Sequence, residues 1–529
     1  GPFGAEIATP NLDALAKDGR VMSQVYATPM PTTRAEVMTG ADHHLVGVGS
    51  MYFPWGKQKE TPYYLRRLND QALPVSEVLH DAGYHTYMVG TWHLGEGDDQ
   101  SPKARGFESS YSLLGAAGVY FALGKGEPQP AGAHEPPVYR EEGKMVEPPQ
   151  GFITDIFTDK LLGYIDRDAK DGKPFFAYAA YTTPHFPLQV TDAFIDRYKG
   201  RYDAGYDAVR MARVAKQKRL GLISKDFKPA IPAPAAGALS FGMETWSSLS
   251  PERKKRESRR MEIYAGMIEN LDWNIGRIVA KLKATGQYDN TFIVFTSGNG
   301  AAQGFRESTE DNRPENMGRK GSWIYYTERW AEVSNAPFAG WKAKPSEGGI
   351  SVPTVIHLPG QKGAQPISHA PATLRDLAPT FIELAGIKPP GSSYKGRKVV
   401  PISGKSLLPM LQGKAKAVHP ADQVFADENS GEAYVRQGQW KAVLMTKQHT
   451  NPFERGDPLN ADHMTALRAG DMETAAKLRA KYPATWTLYD IKADRGETTD
   501  LAAKRPDVLK RMQRLYEAYR RASAVVDPL

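Results

Sequence analysis

Residues that bind anions or metal ions follow several apolar runs of strand length along this sequence. His93 follows the run Tyr84–Gly90, His185 follows Phe175–Tyr181, and Asn299 follows Thr291–Thr296. Imidazole and carboxamide groups can donate hydrogen bonds to an oxyanion or offer lone pairs to a cation. The residues alone leave His93 and His185 open between an anion-binding and a purely structural role.

Helical patterns alternate with these runs and indicate the scaffold that positions the polar residues. The helices are expected at 10–18 (Thr9 as N-cap, Gly19 as stop), Leu73–Ala82, Met261–Leu282 and Ala372–Ala385, with a further strand at Val352–Leu358. This alternation predicts an α/β fold, with a large, mostly parallel sheet sandwiched by helices. In such sheets ligands bind beyond the carboxyl ends of the strands, where the polar residues fall.

The pattern changes after about residue 400. A hairpin with glycine at its turn is expected over Ala433–Leu444, then a strand at Thr485–Asp490 and a terminal helix from Asp500. We therefore predict an α/β catalytic-type domain over 1–400 and a smaller α+β subdomain over 401–529.

Composition excludes several classes of protein. The 529 residues include no cysteine, 68 Lys+Arg and 60 Asp+Glu, for a net charge of +8. Disulfides, thiolate metal sites and a cysteine nucleophile are therefore excluded. No run approaches the roughly 18 apolar residues of a membrane span. The densest basic run, 253–256, is interleaved with glutamates and opens a helix, so we expect a solvated face and no nucleic-acid partner.

Several motifs, in order along the chain, resemble the sulfatase family of the alkaline phosphatase superfamily, bacterial arylsulfatases above all. The motifs are Thr9–Ala16, Arg34–Gly40 followed by Asp42-His43-His44, Gly90–Gly95 (similar to the family's Gly-Lys-Trp-His-Leu-Gly), Thr183–Leu188, Asp289–Phe292, Lys342 before Gly348-Gly349, Trp486–Asp490 and Gly496–Leu501. The resemblance covers nearly the whole chain and implies the fold of that superfamily.

The resemblance also implies a chemistry. In the family, a cysteine or serine is oxidised to formylglycine, whose geminal diol attacks sulfur beside a divalent cation, usually Ca²⁺. The retained positions would be Arg34, His93, His185 and Lys342 as catalytic and anion-binding groups, with Asn299 as the only metal ligand in view.

Four positions depart from the family pattern. Met30 stands at the nucleophile position, Thr32 replaces a proline, Thr91 replaces the catalytic lysine and Gly298 replaces a metal-binding aspartate. A thioether cannot become formylglycine, and glycine offers no side-chain oxygen. We therefore expect an empty metal site and no cofactor. Ca²⁺ would bind only if a segment upstream of Gly1, where the family's first strand and Asp pair would lie, supplied ligands.

Two hypotheses about function follow. In the first, the chain is an arylsulfatase-like protein that has lost catalysis and keeps a basic pocket for a sulfate- or phosphate-like anion or ester, or serves a structural or interaction role with a protein partner. The alternative is an active sulfatase, or a phosphate or phosphonate ester hydrolase, with an atypical nucleophile. Because many relatives are exported, a periplasmic or secreted location is expected.

Two groups of residues near the first motif have competing interpretations. Thr32 or Thr33 could supply a nucleophilic hydroxyl, although capping the helix that begins there is the favoured role. His43 and His44 beside Asp42 could suggest a metal site. Adjacent histidines usually point apart, so a structural role is favoured for this pair.

Overall fold

The protein is described by a computed structural model covering residues 1–51, 54–115, 118–123, 127, 137–232, 243–304, 313–361, 363, 365–446, 462, 465–466, 469–481 and 483–527. The helices in these ranges are α1 (Pro10–Lys17), α2 (Thr33–Thr39), α3 (Val75–Asp81), α4 (Ile153–Asp168), α5 (Asp192–Ile195), α6 (Tyr206–Leu220), α7 (Pro251–Ala284), α8 (Glu328–Ser334), α9 (Glu347–Ile350), α10 (Leu377–Leu384), α11 (Leu408–Leu411), α12 (Met472–Ala480) and α13 (Pro506–Ala522). Among the residues just given, no helix combines the length and apolar character needed to cross a bilayer.

Within the same ranges, the strands form three larger sheets and one short ribbon. They are β1 (Arg20–Tyr26), β2 (His85–Thr91), β3 (Ser109–Leu113), β4 (Tyr139–Glu141), β5 (Lys144–Val146), β6 (Phe175–Ala180), β7 (Ile293–Thr296), β8 (Ser351–His357), β9 (Ala372–Thr373), β10 (Ser393–Tyr394), β11 (Arg397–Lys398), β12 (Val424–Asn429), β13 (Glu432–Gln437), β14 (Trp440–Thr446) and β15 (Ala484–Asp490). The sheet orders are β5-β4-β3-β2-β6, β7-β8-β1-β9, β12-β13-β14-β15 and β10-β11.

Strand direction is mixed within the α/β architecture. Strand β2 is parallel to both β3 and β6, and β1 is parallel to β9. Strand β8, by contrast, is antiparallel to both of its neighbours, β7 and β1. The expected helix over Ala372–Ala385 begins later, as α10, because its first two residues form β9 and pair with β1.

The apolar runs that predicted β6 and β7 are less buried than expected. Both strands lie at the edge of their sheets, and their side chains are half-buried apart from Ala180.

The predicted hairpin and strand near the C-terminus are present as β13, β14 and β15. Together with β12 they form an antiparallel sheet, with Gly438 at the turn in the left-handed region (φ 59°). Helix α13 packs its apolar side chains Val508, Met512 and Tyr516 on this sheet. The boundary at residue 400 stays a prediction.

Helix α1 begins after Thr9 as expected, but the threonine does not cap it. The Thr9 hydroxyl is buried and makes no hydrogen bond. The free amides of the first turn are instead bound by a carboxylate from α7: Asn11 N–H and Leu12 N–H donate to Asp272 at 3.1 and 2.8 Å. Tertiary structure therefore takes over the role that the sequence assigned to a local cap.

Candidate anion-binding site

Helix α2 and the end of β2 together position the first cation of the site. Arg34 lies in the first turn of α2, and its Nη1 donates to the backbone oxygen of Thr91 at 2.5 Å. Because Thr91 is the last residue of β2, this bond fixes the guanidinium at the carboxyl end of that strand.

His93 follows β2 in a backbone conformation that is uncommon for a residue with a side chain. Its φ of 54° lies in the left-handed region. Burial lowers the pKa of His93 well below its usual value, and the positive charges of Arg34, Lys342 and Arg66 lower it further. The imidazole is therefore neutral at neutral pH.

Lys342 and His185 contact each other directly. The ammonium Nζ of Lys342 donates to Nε2 of His185 at 3.0 Å, while Nδ1 of His185 lies 2.9 Å from the Phe186 carbonyl oxygen. The proton of a neutral His185 is thus on Nδ1, and Nε2 accepts. Burial, followed by the charge of Lys342, lowers the pKa of His185 to about 3, and burial and Arg34 lower that of Lys342 to about 8.

The glycine pair after Lys342 is required by close packing of the backbone. A Cβ on Gly349 would lie 1.9 Å from the carbonyl oxygen of Lys344, and one on Gly348 would lie 2.4 Å from that of Ala339. The loop that carries Lys342 is also hydrogen-bonded to the segment after β7, because Lys342 N–H donates to the Ala301 carbonyl oxygen at 2.9 Å. The spacing of Lys342 to the glycines therefore reflects a loop folded tightly on itself.

These groups form a cluster of positive charge. Within the described ranges, no carboxylate lies within 4.0 Å of the Arg34 or Lys342 side-chain nitrogens. Arg66 is a further cation near His93 that sequence reasoning missed, since nothing in the surrounding pattern marks it. The cluster thus consists of cations beside two neutral imidazoles, an arrangement whose positive charge an oxyanion would complement.

Met30 lies in the turn before α2, with 5% of the residue exposed. Its carbonyl oxygen accepts hydrogen bonds from the hydroxyls of Thr28 and Thr33, and Thr32 Oγ1 donates to Thr28 Oγ1 at 2.8 Å. The expected capping of α2 by Thr32 or Thr33 is wrong, because neither hydroxyl binds a first-turn amide. The amides of residues 33–35 instead donate to the carbonyls of residues 30–32.

Thr91, at the position of the family's lysine, is fully buried. Its hydroxyl is paired with the hydroxyl of Thr182 at 2.7 Å. The side chain therefore supplies no charge to the site.

The residues present do not fit a calcium ion. Asn299 donates its Nδ2 to the Gly300 carbonyl oxygen at 2.7 Å, and Gly298 is exposed, with no atom within 4 Å of where a Cβ would be. Ca²⁺ takes about six to eight oxygen ligands, usually including carboxylates. Asn299 by itself falls far short of that number.

The Asp42-His43-His44 cluster is buried and internally bonded. The two rings lie side by side, with centroids 4.0 Å apart, so the expectation that they point apart is wrong. The ligand atoms of the three residues lie within 4.8 Å of one another. Each ring nitrogen already contacts an oxygen: His43 those of Val48 and Asp427, and His44 those of Asp42 and Glu428. The cluster joins the loop after α2 to β12.

A covered α/β sheet with charged and polar side chains beyond its strand ends defines a class of α/β protein, and comparisons with known proteins give the family. The sulfatase family model matches residues 1–387, so the chain belongs to the sulfatase family. It is 34% identical to an uncharacterized sulfatase of Schizosaccharomyces pombe over 99% of this chain and 91% of that one. It is 38% identical to an arylsulfatase of Klebsiella aerogenes over 79% of this chain and 89% of that one.

Solved structures confirm the fold. One of them, a complex with its substrate D-glucosamine-2-N,6-O-disulfate, superposes with a TM-score of 0.60, at 19% identity, covering 99% of this chain and 95% of the other. The α/β fold of the alkaline phosphatase superfamily, expected from the motifs, is confirmed.

Proposed function

We propose that this chain binds a sulfate- or phosphate-like oxyanion between Arg34 and Lys342 and does not hydrolyse sulfate esters by the formylglycine mechanism. The observation that carries the proposal is the pairing of these two cations with no carboxylate near either of them in the described structure. A bound anion would supply the missing negative charge.

The protonation states support an anion rather than a cation. At pH 7, Arg34 is charged and Lys342, with a pKa near 8, is largely charged, while His93 and His185 are neutral. Charge-assisted hydrogen bonds to an oxyanion are roughly twice as strong as neutral ones. The sulfated sugar bound by the solved relative is a ligand of this chemical class.

Three positions that would carry the hydrolytic groups hold residues that lack them. The thioether of Met30 has no proton to lose and no oxygen to attack with. Thr91 provides no ammonium group, and the backbone at Gly298 provides no carboxylate. Removing a single transition-state stabiliser costs about 10²–10³ in rate. Losing the nucleophile as well should abolish the mechanism.

Binding can be measured by titrating the purified full chain with sulfate and with phosphate at pH 7 in a calorimeter. We expect Arg34→Ala and Lys342→Ala each to weaken binding at least tenfold. Matched controls are Arg313→Ala and Lys395→Ala, whose side chains are 71% and 66% exposed, and these should bind like the wild type. Equal affinity in all five proteins would refute the anion site.

Activity is tested separately, with aryl sulfate, phosphate and phosphonate esters. We expect no turnover above the uncatalysed rate, whether or not Ca²⁺ is added. Turnover that Arg34→Ala abolishes would instead establish the alternative, an active hydrolase with an atypical nucleophile.

A further inference from the structure

Lys342 differs from the buried Lys441 in the partner of its ammonium group. The ammonium of Lys441 contacts two carboxylates, those of Glu347 and Glu497, at 3.1 and 2.8 Å. That of Lys342 donates to the imidazole nitrogen Nε2 of His185 at 3.0 Å, and no carboxylate of the described residues lies within 4.0 Å of it. A neutral imidazole brings no negative charge, so the ammonium form of Lys342 is poorly stabilised.

The pKa values of the two lysines accordingly move in opposite directions. Burial alone would lower the pKa of Lys441, but the charges of Glu497 and Glu347 outweigh burial and raise it. Burial, followed by the positive charge of Arg34, lowers the pKa of Lys342 to about 8. At pH 8 about half of the Lys342 side chains are therefore free amines, against about 0.4% of a lysine with the ordinary pKa of about 10.4. A lysine that is desolvated beside another cation is an activated nucleophile.

The surroundings of this amine also favour one kind of reaction partner. Lys342, His185 and Arg34 are half-buried rather than sealed from solvent, so a small molecule can approach them. The guanidinium of Arg34 donates to a backbone oxygen, that of Thr91, and so keeps its positive charge without a carboxylate partner in the described structure. A ligand with an anionic group would be attracted to this charge, and a carbonyl group on the same molecule would then be concentrated near the amine.

We propose that Lys342 is a covalent modification site for small aldehydes that carry a sulfate-, sulfonate- or phosphate-type group. Arg34 attracts the anionic group, and the amine of Lys342 forms an imine with the aldehyde carbon. This inference rests on the proposed anion site and adds a reacting group to it.

The reaction conserves atoms and charge. The ammonium of Lys342 first loses a proton to water, and the lone pair of its nitrogen then forms a bond to the carbonyl carbon while the π electrons of the C=O bond move to oxygen. One proton moves from nitrogen to that oxygen. The proton lost at the start returns to the resulting hydroxyl group, which leaves as water while the C=N bond forms. The net change converts ammonium and aldehyde into protonated imine and one water, with no oxidant or reductant, and keeps a positive charge beside the anion.

The test uses the full chain and 4-formylbenzenesulfonate, with 4-(methylsulfonyl)benzaldehyde as the uncharged aldehyde of similar size. Sodium borohydride reduces the imine to a stable secondary amine, which mass spectrometry locates after digestion. At pH 8 we expect the sulfonate to label Lys342 at least about tenfold more than Lys395, whose side chain is 66% exposed. Labelling of Lys342 should level off above about pH 8, whereas that of Lys395 should keep rising.

The anionic group provides a second comparison. The uncharged aldehyde should label Lys342 on the order of tenfold less than the sulfonate does, and added sodium sulfate should protect Lys342 from the sulfonate. Lys342→Arg keeps the charge without a reactive amine and should abolish the label at this position. Lys395→Arg is the matched control, and in this variant Lys342 should be labelled as in the wild type.

The wild-type adduct identifies the reacting lysine directly, which covers the case in which Lys342→Arg does not fold. Equal labelling of Lys342 and Lys395 by the sulfonate would overturn the inference. Sulfate binding in the calorimeter without an adduct at Lys342 would also overturn it and would leave the proposed function standing. Absence of sulfate binding, together with equal labelling by the two aldehydes, would refute the anion site as well.

Discussion

The buried Lys441 allows the sharpest prediction about stability. Its ammonium Nζ lies 3.1 Å from Oε1 of Glu347 and 2.8 Å from Oε1 of Glu497, and all three side chains are at most 3% exposed. Glu347 is also paired with Arg495 at 2.7 Å. The substitution Lys441→Met would therefore leave Glu497 as the carboxylate without a cation.

The size of the expected loss of stability in Lys441→Met follows from the burial of these charges. Removing one partner of a buried ion pair costs about 3–5 kcal/mol, because the remaining charge stays in a poorly solvating environment. At about 1.4 kcal/mol per factor of ten, the unfolding constant rises by roughly 10²–10⁴. With a urea m value near 3 kcal/mol/M, the midpoint falls by roughly 1–2 M.

The loss should also depend on pH. Burial raises the pKa of Glu497, and Lys441 opposes that rise, so the substitution raises this pKa further. When the pKa of a carboxyl group is higher in the folded than in the unfolded protein, the free energy of unfolding falls as the pH rises toward that folded-state pKa. The difference between variant and wild type should therefore be smaller at pH 5 than at pH 8.

The assay is urea unfolding followed by circular dichroism at both pH values. Lys281→Met is the control, because its partner Asp166 is 55% exposed and such pairs contribute about 0–1 kcal/mol. Adding Glu497→Gln to Lys441→Met should recover part of the loss. If Lys441→Met unfolds at the same urea concentration as Lys281→Met, the reasoning about this buried charge is refuted.

Three further predictions concern the anion site and the N-terminal segment. Sulfate affinity should fall as pH rises through about 8, where Lys342 loses its charge, and Lys342→Arg should remove that dependence in calorimetric titrations. Gly349→Ala should weaken both sulfate binding and thermal stability, because its Cβ would meet the Lys344 carbonyl oxygen at 1.9 Å. Burial would raise the pKa of Glu6, but the hydrogen bond and charge of Arg213 outweigh it and hold this pKa at about 2. The stability that the pair contributes is fully present above about pH 4.3 and should be lost as the pH falls toward 2. The loss should be less steep in Glu6→Gln, which has no carboxyl group to titrate.

Each of these has an outcome that contradicts it. An affinity for sulfate that stays constant from pH 7 to 10 would exclude Lys342 from binding. For Gly349→Ala the control is Gly298→Ala, because no atom lies within 4 Å of the position that the new methyl group would take there. Equal melting temperatures of the two variants would show that close packing at Gly349 does not limit stability. Parallel acid unfolding of the wild type and Glu6→Gln would show that the Glu6 pair contributes nothing.

The sequence predicted the site better than the sheets around it. His93 and His185 are expected at the site because they follow strand-length runs, and Arg34 and Lys342 because of the resemblance to sulfatases. The structure brings these four into one electrostatic cluster. Apolar runs report burial but not direction, so the antiparallel setting of β8 could not be read from Val352–Leu358.

Other features depend on residues far apart in the chain. The contact of His419 Nε2 with Asp376, 43 residues earlier in the chain, is one such feature, and no local pattern marks it. The neutrality of His93 and His185 likewise comes from burial and from cations on other elements. The expected loss of catalysis stays a prediction.

The distant cap on α1 has a consequence for biosynthesis. This helix has eight residues, fewer than the dozen or so that a helix needs to persist alone in water. Its amides are satisfied by Asp272, which follows Leu12 by 260 positions. While the ribosome is still making the middle of the protein, residues 10–17 have no partner for these amides, so α1 should gain its cap only after residue 272 has been synthesised.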